Sequence, residues 1–219
     1  MKSSTAQMPN VVRKPLGQID DRLMRLLTTF ILLTICITAL AQTSPTRKWV
    51  DTEVKYTDSV GKVILVDNSF PKGGGGYTDS AGKNYSYVIF WTRVINQSTT
   101  PLELVIKFPA DPFAIFPSLD SHIRIFLPPD TMTLDKIPLG DYGLTNLKSF
   151  LDAGFKKPSM LQITLNPKEE YFFYIPVLIY QARGTARAAL VLKGQDLFYR
   201  ISIDPQSALI PCGRIVFRN

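Results

Sequence analysis

Tyrosines recur at even spacing on the predicted strands of this chain, and they are the side chains best suited to binding chemistry. Tyr85 and Tyr87 form one pair, and Tyr174 and Tyr180 lie on a second strand. Residues two apart along a strand share a face, so some of these rings point outward if the opposite set fills the core. Outward tyrosines stack on sugars or anchor a partner protein. We therefore predict these four tyrosines as ligand-binding residues; the alternative is a second buried layer of the fold.

Four consecutive glycines, Gly73–Gly76, predict a flexible stretch of backbone. They do not make a phosphate-binding loop, because such a loop needs a Lys-Ser/Thr pair at the start of a helix and a Tyr-Thr pair follows here. We predict a loop over Asn68–Lys83 with the glycines at its centre. Binding residues gather on loops, so Gly74 and Gly75 join the candidate ligand-binding residues.

The sequence offers no recognisable catalytic or metal-binding set. His122 is the only histidine, and its neighbours Asp120 and Ser121 cannot form a triad with it on an extended chain. One histidine and, beyond residue 41, one cysteine (Cys212) are too few for an ordinary structural zinc site. The aspartates between residues 111 and 141 lack the alternating pattern of a calcium loop. We predict no catalytic residue, no metal site and no cofactor.

The apolar run Leu26–Ala41 indicates where the protein works. It follows Arg22 and Arg25 and ends in small residues, which is the layout of a secretory signal peptide. Its length of about 16 residues falls short of the roughly 20 needed to span a bilayer. We predict cleavage before Gln42 and a product that is secreted, periplasmic or held at the cell surface. If the segment is retained, the protein is instead anchored in the membrane.

The length and the segment pattern of the chain predict one folded domain after the signal peptide. We predict an n-region and signal peptide over residues 1–41, a lead-in segment over 42–61 and a β-sandwich domain over 62–219. Of the formal charge of +7, the first 41 residues carry +3, and the remaining basic residues are scattered. They do not interleave with aromatic residues, which argues against a nucleic-acid-binding face. Cys212 alone cannot form an internal disulfide, so we expect it to be a small buried residue of the core.

Alternation of apolar and polar residues predicts nine or ten short strands. Leu102–Phe108 alternates with period two, and the composition of Tyr85–Asn96 predicts a long central strand. The turn-like Gln97–Pro101 between them predicts that the two strands pair as a hairpin. Thr131–Lys136 is a further candidate strand, and Leu144–Ala153 is the one predicted helix. No internal repeat is evident, and the whole pattern predicts an antiparallel β-sandwich with one short helix after the signal helix.

Two segments resemble bacterial immunoglobulin-like domains. In Tyr85–Phe108 a strand ending in Asn-x-Ser precedes a partner strand, and in Leu165–Phe173 a Pro-x-Glu turn leads into a strong strand. The signal peptide ending in Ala-Gln is similar to those of exported proteins of Bacteroidetes-type bacteria. The resemblance implies an immunoglobulin-like all-β sandwich that serves as a binding, spacer or surface-assembly module. The antibody-type signature is absent, because no disulfide pair flanks Trp91.

Three tripeptides resemble the acceptor sequence for O-glycosylation in the same exported proteins. Their hydroxyl residues are Ser59, Ser80 and Thr131, each preceded by aspartate. As a whole, the sequence predicts an exported, non-enzymatic binding or envelope-assembly module whose partner is an envelope protein or a glycan. The competing hypothesis is an extracytoplasmic hydrolase of envelope or polysaccharide substrates, acting through paired carboxylates that the sequence does not single out.

Overall fold

The computed structural model of the chain describes residues 49–117 and 120–218. All of them fall in one structural unit, Pro45–Asn219. The predicted signal peptide and the first residues of the predicted lead-in segment lie outside the described residues. Within the described ranges, no helix combines the length and the apolar character needed to cross a membrane.

Eleven antiparallel strands make up the described part of the fold, and the β-branched and aromatic residues that fill most of them favour an extended backbone. They are β1 (Val50–Thr57), β2 (Val63–Ser69), β3 (Lys72–Thr78), β4 (Asn84–Asn96), β5 (Leu102–Phe108), β6 (His122–Ile125), β7 (Ser159–Leu165), β8 (Glu170–Tyr180), β9 (Ala186–Lys193), β10 (Asp196–Ile203) and β11 (Gln206–Phe217). Within the same ranges there is one α-helix, α1 (Leu147–Gly154), and Leu134–Lys136 and Gly140–Gly143 form 3₁₀ turns.

The strands form two sheets that pack face to face. The first sheet has the order β1-β2-β4-β8-β6, and β3 pairs with the first half of β4 beyond the end of β2. The second sheet has the order β7-β5-β11-β10-β9. Their inner faces share one apolar core, which includes Val66, Phe90, Leu104 and Ile201. Over the described residues, the protein is therefore an all-β sandwich, immunoglobulin-like in broad architecture, with one short helix, as the sequence predicts.

The period-two pattern places several strands correctly. β5 has its predicted bounds, and its alternate residues Leu102, Leu104 and Ile106 are fully buried. The apolar composition of Glu170–Tyr180 also predicts a strand, and β8 has those bounds. Cys212 is buried on β11, where burial raises the pKa of its thiol to about 12. This agrees with the prediction of a small core residue.

The predicted hairpin between β4 and β5 is wrong. β4 pairs with β2, β3 and β8 in the first sheet, whereas β5 pairs with β7 and β11 in the second. The turn Gln97–Pro101 is therefore a crossover between sheets. The side-chain nitrogen of Asn96 donates hydrogen bonds to the carbonyl oxygens of Thr100 (2.8 Å) and Leu165 (3.0 Å). These bonds hold the β4–β5 and β7–β8 crossovers side by side.

The predicted loop over Asn68–Lys83 contains a strand. β3 carries the whole glycine run and pairs with β4. The pairing is irregular between Gly73 and Gly76. Gly73 and Gly74 have φ angles of +115° and +104°, which glycine adopts far more readily than other residues. Pairing with β4 thus overrides the flexibility that four glycines give to an unpaired chain.

Residues 126–158 cross the outer face of the first sheet and cover it with a further layer. Beneath this layer, Ile89 and Trp91 of β4 and Leu178 of β8 are fully buried. The buried apolar residues that the covering layer contributes are Phe126, Met132, Ile137, Tyr142, Leu144, Leu147, Leu151 and Phe155. The central strands of the first sheet, β4 and β8, are therefore covered on both faces over most of their length.

The covering layer differs locally from the predicted elements. α1 begins at Leu147, three residues after the predicted start at Leu144, and Leu147 and Leu151 face the sheet one turn apart. The candidate strand Thr131–Lys136 is wrong, because the segment makes an isolated bridge to Phe173 and then a 3₁₀ turn.

Lys72 of β3 fastens the covering layer to the first sheet. Its ammonium donates hydrogen bonds to the carbonyl oxygens of Ile137 (2.5 Å) and Leu139 (2.8 Å). The same ammonium lies 4.1 Å from the ring centre of Trp49 and 4.3 Å from that of Tyr142. Burial lowers the pKa of Lys72, while the carbonyl and ring contacts favour its charged form.

Candidate functional site

A cleft opens between β3 and α1, where the covering layer meets the first sheet. It consists of two adjoining cavities of about 350 and 460 Å³ that share Tyr77 and Thr78. The smaller cavity is also lined by Tyr87, Asp141, Thr145 and Lys148, and the larger by Asp79, Asp152, Phe155, Lys156 and Lys157. We call the two cavities together the β3–α1 cleft; their volumes are in the range of small-molecule sites.

Tyr87 and Asp141 form a hydrogen-bonded pair in the smaller cavity. The Tyr87 hydroxyl donates to a carboxylate oxygen of Asp141 at 2.8 Å. This bond, followed by burial, raises the pKa of Tyr87, so the phenol stays protonated at neutral pH. The Tyr87 ring lies against the glycine strand: a Cβ placed on Gly75 would come within 2.7 Å of it. Glycine at position 75 is therefore what allows Tyr87 to lie here.

Asp141 reaches the cleft from a strained turn. Asp141 and Tyr142 both have left-handed backbones, with φ angles of +49° and +54°. Such conformations cost about 1–3 kcal/mol each in residues other than glycine, and they concentrate at functional sites. Two hydrogen bonds hold the turn: the Tyr142 hydroxyl donates to the carbonyl oxygen of Phe70 (2.6 Å), and the Tyr174 hydroxyl donates to that of Tyr142 (2.8 Å).

The helix α1 supplies the opposite wall of the cleft. Lys148 and Asp152, one turn apart, form an ion pair at 2.7 Å. The hydrogen bond from Lys148 lowers the pKa of the Asp152 carboxyl. Burial, and then the nearby Asp152, raise the pKa of the Tyr77 phenol. The α1 wall thus presents one carboxylate and one ammonium, and Tyr77 of β3 faces them with a phenol that is protonated at neutral pH.

The charges along the cleft balance. Its acidic residues are Asp79, Asp141 and Asp152, and its basic residues are Lys148, Lys156 and Lys157. Hydroxyl groups of threonine and tyrosine lie between them. A lining of this kind offers many hydrogen-bond donors and acceptors without a net charge, which favours a neutral, polar ligand.

The four predicted tyrosines do not share one exposed face. Of the four, Tyr87 lines the cleft. Tyr85 and Tyr174 are 4% and 0% exposed, so the expectation that they face outward is wrong, because the covering layer buries them. Tyr174 instead supports the turn that carries Asp141. These two rings instead agree with the alternative stated from the sequence, a second buried layer of the fold.

Tyr180 is the last residue of β8, and its ring packs in an aromatic stack. Its ring centre is 5.0 Å from that of His122 and 5.2 Å from that of Tyr85. The ammonium of Lys83 lies over the same ring at 5.1 Å. Burial lowers the pKa of His122, which favours the neutral imidazole. These contacts account for the one histidine of the chain as a packing residue.

The other predicted positions are distributed over the surface. Gly74 is exposed, with open space where a Cβ would be, whereas Gly75 packs on Tyr87. Ser59, Ser80 and Thr131 are exposed. Over residues 49–117 and 120–218, no group of three or more histidine, cysteine, aspartate or glutamate side chains is placed to hold a metal ion.

Of the residues that line the cleft, the sequence singles out Tyr87 alone as a ligand-binding residue. Asp141 is one of the aspartates without a calcium-loop pattern, and Thr145 and Lys148 lie within the predicted helix, because nothing in their spacing connects them to β3. One signal for the covering layer exists in β8, where Phe172 to Ile179 is continuously apolar instead of alternating. Such a run is typical of a strand covered on both faces.

Comparison with known proteins does not assign the chain to a family. No protein-family model matches the chain, and no curated protein matches it. A function must therefore be argued from the chemistry of the cleft itself.

Proposed function

We propose that the protein is an exported, non-enzymatic binding module of the cell envelope and that it binds a glycan in the β3–α1 cleft. The observation that carries the proposal is the hydrogen-bonded pair of Tyr87 and Asp141. The pair lines a cavity large enough for a small ligand, and Asp141 is held there by a turn with a strained backbone. A backbone held in an unfavourable conformation at the wall of a cavity is a feature of binding sites.

The lining of the cleft favours a glycan over a charged ligand. Its three acidic and three basic side chains cancel, so neither an anion nor a cation is selected. Carboxylates and ammonium groups can accept from and donate to the hydroxyls of a sugar, and aromatic rings such as Tyr77 and Tyr87 offer apolar faces for its C–H groups. An envelope protein remains the second partner class predicted from the sequence.

The ionisation of the carboxylates supports binding instead of hydrolysis. A glycoside hydrolase needs one carboxylic acid with a raised pKa near the scissile bond. In the cleft, the pKa values of Asp79 and Asp152 are lowered. Among the described carboxyl groups with a displaced pKa, Asp67 alone is raised, by burial, and it lies on β2 beside Arg93 at 3.3 Å.

Export is supported by the apolar run Leu26–Ala41 and its flanking residues. We expect the protein isolated from its host to begin at Gln42 and to be found in the soluble envelope or extracellular fraction. Intact mass and N-terminal sequencing of each fraction measure this directly. A membrane-bound product that retains Leu26–Ala41 would contradict the secreted form and favour the signal-anchored one.

The cleft is tested by two substitutions that preserve size. Asp141→Asn removes the negative charge of the carboxylate that accepts from Tyr87, and Thr145→Val removes a hydroxyl of the lining. A panel of soluble envelope and plant polysaccharides is screened with the purified protein, and binding of the best one is measured by calorimetry. Each variant is expected to weaken binding about tenfold, since one hydrogen bond to a charged or polar group contributes about 1.5 kcal/mol.

Thr164→Val is the matched control, because Thr164 is exposed on β7, away from the cleft. It makes the same chemical change and is expected to leave affinity within about twofold. Equal loss in Thr164→Val and Thr145→Val would place the glycan elsewhere. Cleavage of a bound polysaccharide by the purified protein would favour the hydrolase hypothesis.

A further inference from the structure

The chain contains a short repeat that folds twice into the same hairpin turn. Residues 56–62 read Tyr-Thr-Asp-Ser-Val-Gly-Lys, and residues 77–83 read Tyr-Thr-Asp-Ser-Ala-Gly-Lys. The repeat corrects the expectation that the chain has none. In the first copy, a carboxylate oxygen of Asp58 accepts hydrogen bonds from the backbone N–H groups of Val60 (3.0 Å) and Lys62 (2.7 Å). The carboxylate of Asp79 makes the equivalent bonds in the second copy, at 2.8 and 2.9 Å.

The lysine that ends each copy lies over an aromatic ring. Lys62 is 4.7 Å from the ring centre of Phe217, and Lys83 is 5.1 Å from that of Tyr180. The surroundings of the two lysines differ. Lys62 lines a cavity of about 380 Å³, whereas Lys83 lies on the aromatic stack described above. The second copy therefore reproduces the turn and the lysine–ring contact without this cavity.

The cavity at Lys62 opens at one end of the sandwich, between the two sheets. Its buried apolar side chains are Ile64 of the first sheet and Ile215 of the second. Its partly buried walls are Tyr56, Leu192 and Phe217. All five belong to or pack against the core between the sheets, so the cavity exposes the end of that core to solvent. An apolar group that enters here replaces water on these five side chains.

The charged side chains that line the cavity are Asp58 and Lys62. Oδ1 of Asp58 accepts hydrogen bonds from two backbone N–H groups of its own turn. Over the described ranges, the ion pairs found do not include Lys62. The Lys62 ammonium thus lies at an apolar cavity without a described counter-ion, which favours an anionic group on whatever occupies the cavity.

We propose that this cavity binds an amphipathic organic anion, with its apolar body between the sheets and its anionic group on Lys62. The chemical class is an aromatic or aliphatic carboxylate, sulfonate or phosphate. The site shares no residue with the β3–α1 cleft, and its occupancy does not depend on glycan binding.

Two fluorescent probes that differ in charge test the site. 1-Anilinonaphthalene-8-sulfonate carries an anion on an aromatic body, and N-phenyl-1-naphthylamine has a similar body without charge. At low ionic strength, Lys62→Gln is expected to weaken sulfonate binding about fivefold, as one partly exposed ion pair contributes up to about 1 kcal/mol. The same variant should change binding of the neutral probe less than twofold. Leu192→Trp, which fills the cavity, should weaken both probes.

The repeat supplies the matched control. Lys83→Gln removes a lysine with the same turn and the same kind of ring contact, and Lys193→Gln removes one that lies 5.3 Å from the ring of Phe198. Neither lysine lines the cavity, so both variants should bind the two probes as the unaltered protein does. An equal loss of sulfonate binding in Lys62→Gln and Lys83→Gln would overturn the proposal. So would full binding of both probes by a folded Leu192→Trp variant.

Discussion

Gly213→Ala is expected to lower the free energy of unfolding by about 4 kcal/mol. Gly213 lies on β11 between β5 and β10, opposite an irregularity in the pairing of β10 at Leu197. A Cβ at this position would overlap the carbonyl oxygen of Val105 and lie 2.9 Å from its carbonyl carbon. Because the obstacle is the backbone of a central strand, β5 must move away and lose pairing. Overpacking of this kind costs about 1–3 kcal/mol or more, and the backbone φ of +154° adds strain.

Equilibrium unfolding in urea measures this loss, and Gly194→Ala separates its two causes. Gly194 has a φ of +63° and no atom within 4 Å of the added Cβ. Its substitution therefore introduces backbone strain without a clash and should cost about 1 kcal/mol. If the two variants lose the same stability, the clash with Val105 contributes nothing and the strand spacing differs from that described.

The alternation of side chains predicts most strands because it reflects burial on one face. Leu102, Leu104 and Ile106 face the core between the sheets, and the residues between them, Glu103 and Val105, are only partly buried on the opposite face. The same local signal cannot say which strand lies beside which. A turn composition such as that of residues 97–101 is equally compatible with a hairpin and with a crossover between sheets. The partners of β4 and β5 are fixed by contacts far along the chain, which a local pattern does not contain.

The glycine run shows where composition misleads. Four glycines lower the cost of many backbone conformations, so composition predicts a loop. In the folded protein, the same lack of side chains makes room for the ring of Tyr87 on the strand, and pairing with β4 fixes the backbone. The residue that decides the outcome is Tyr87, which lies on a different strand.

The candidate cleft could be predicted only in part. Tyr87 follows from spacing along β4, but Asp141 does not, because a left-handed backbone at a non-glycine residue leaves no reliable trace in sequence. The covering layer itself is indicated by the continuous apolar run of β8, which requires partners on both faces. Where that layer leaves a gap depends on packing between α1 and β3, which are about 70 residues apart in the chain.

Asn96 connects the two crossovers between the sheets, and it is fully buried. Its side-chain nitrogen donates to the carbonyl oxygens of Thr100 (2.8 Å) and Leu165 (3.0 Å), and its side-chain oxygen accepts from the hydroxyl of Ser98 (2.7 Å). Its backbone N–H donates to the carbonyl oxygen of Glu169 at 2.9 Å. One residue therefore satisfies polar groups of both connections, where water has little access.

Asn96→Ala is expected to lower the free energy of unfolding by about 3 kcal/mol, because it leaves several buried polar groups without partners. Asn166→Ala is the control: Asn166 lies in the neighbouring crossover, but its side-chain bond to Glu169 (3.0 Å) is exposed, so the loss should stay below about 1 kcal/mol. Urea unfolding gives both values, and hydrogen exchange should show loss of protection at both crossovers in Asn96→Ala alone. Equal stability of the two variants would mean that water replaces the Asn96 amide and that the crossovers are held by their backbone bonds.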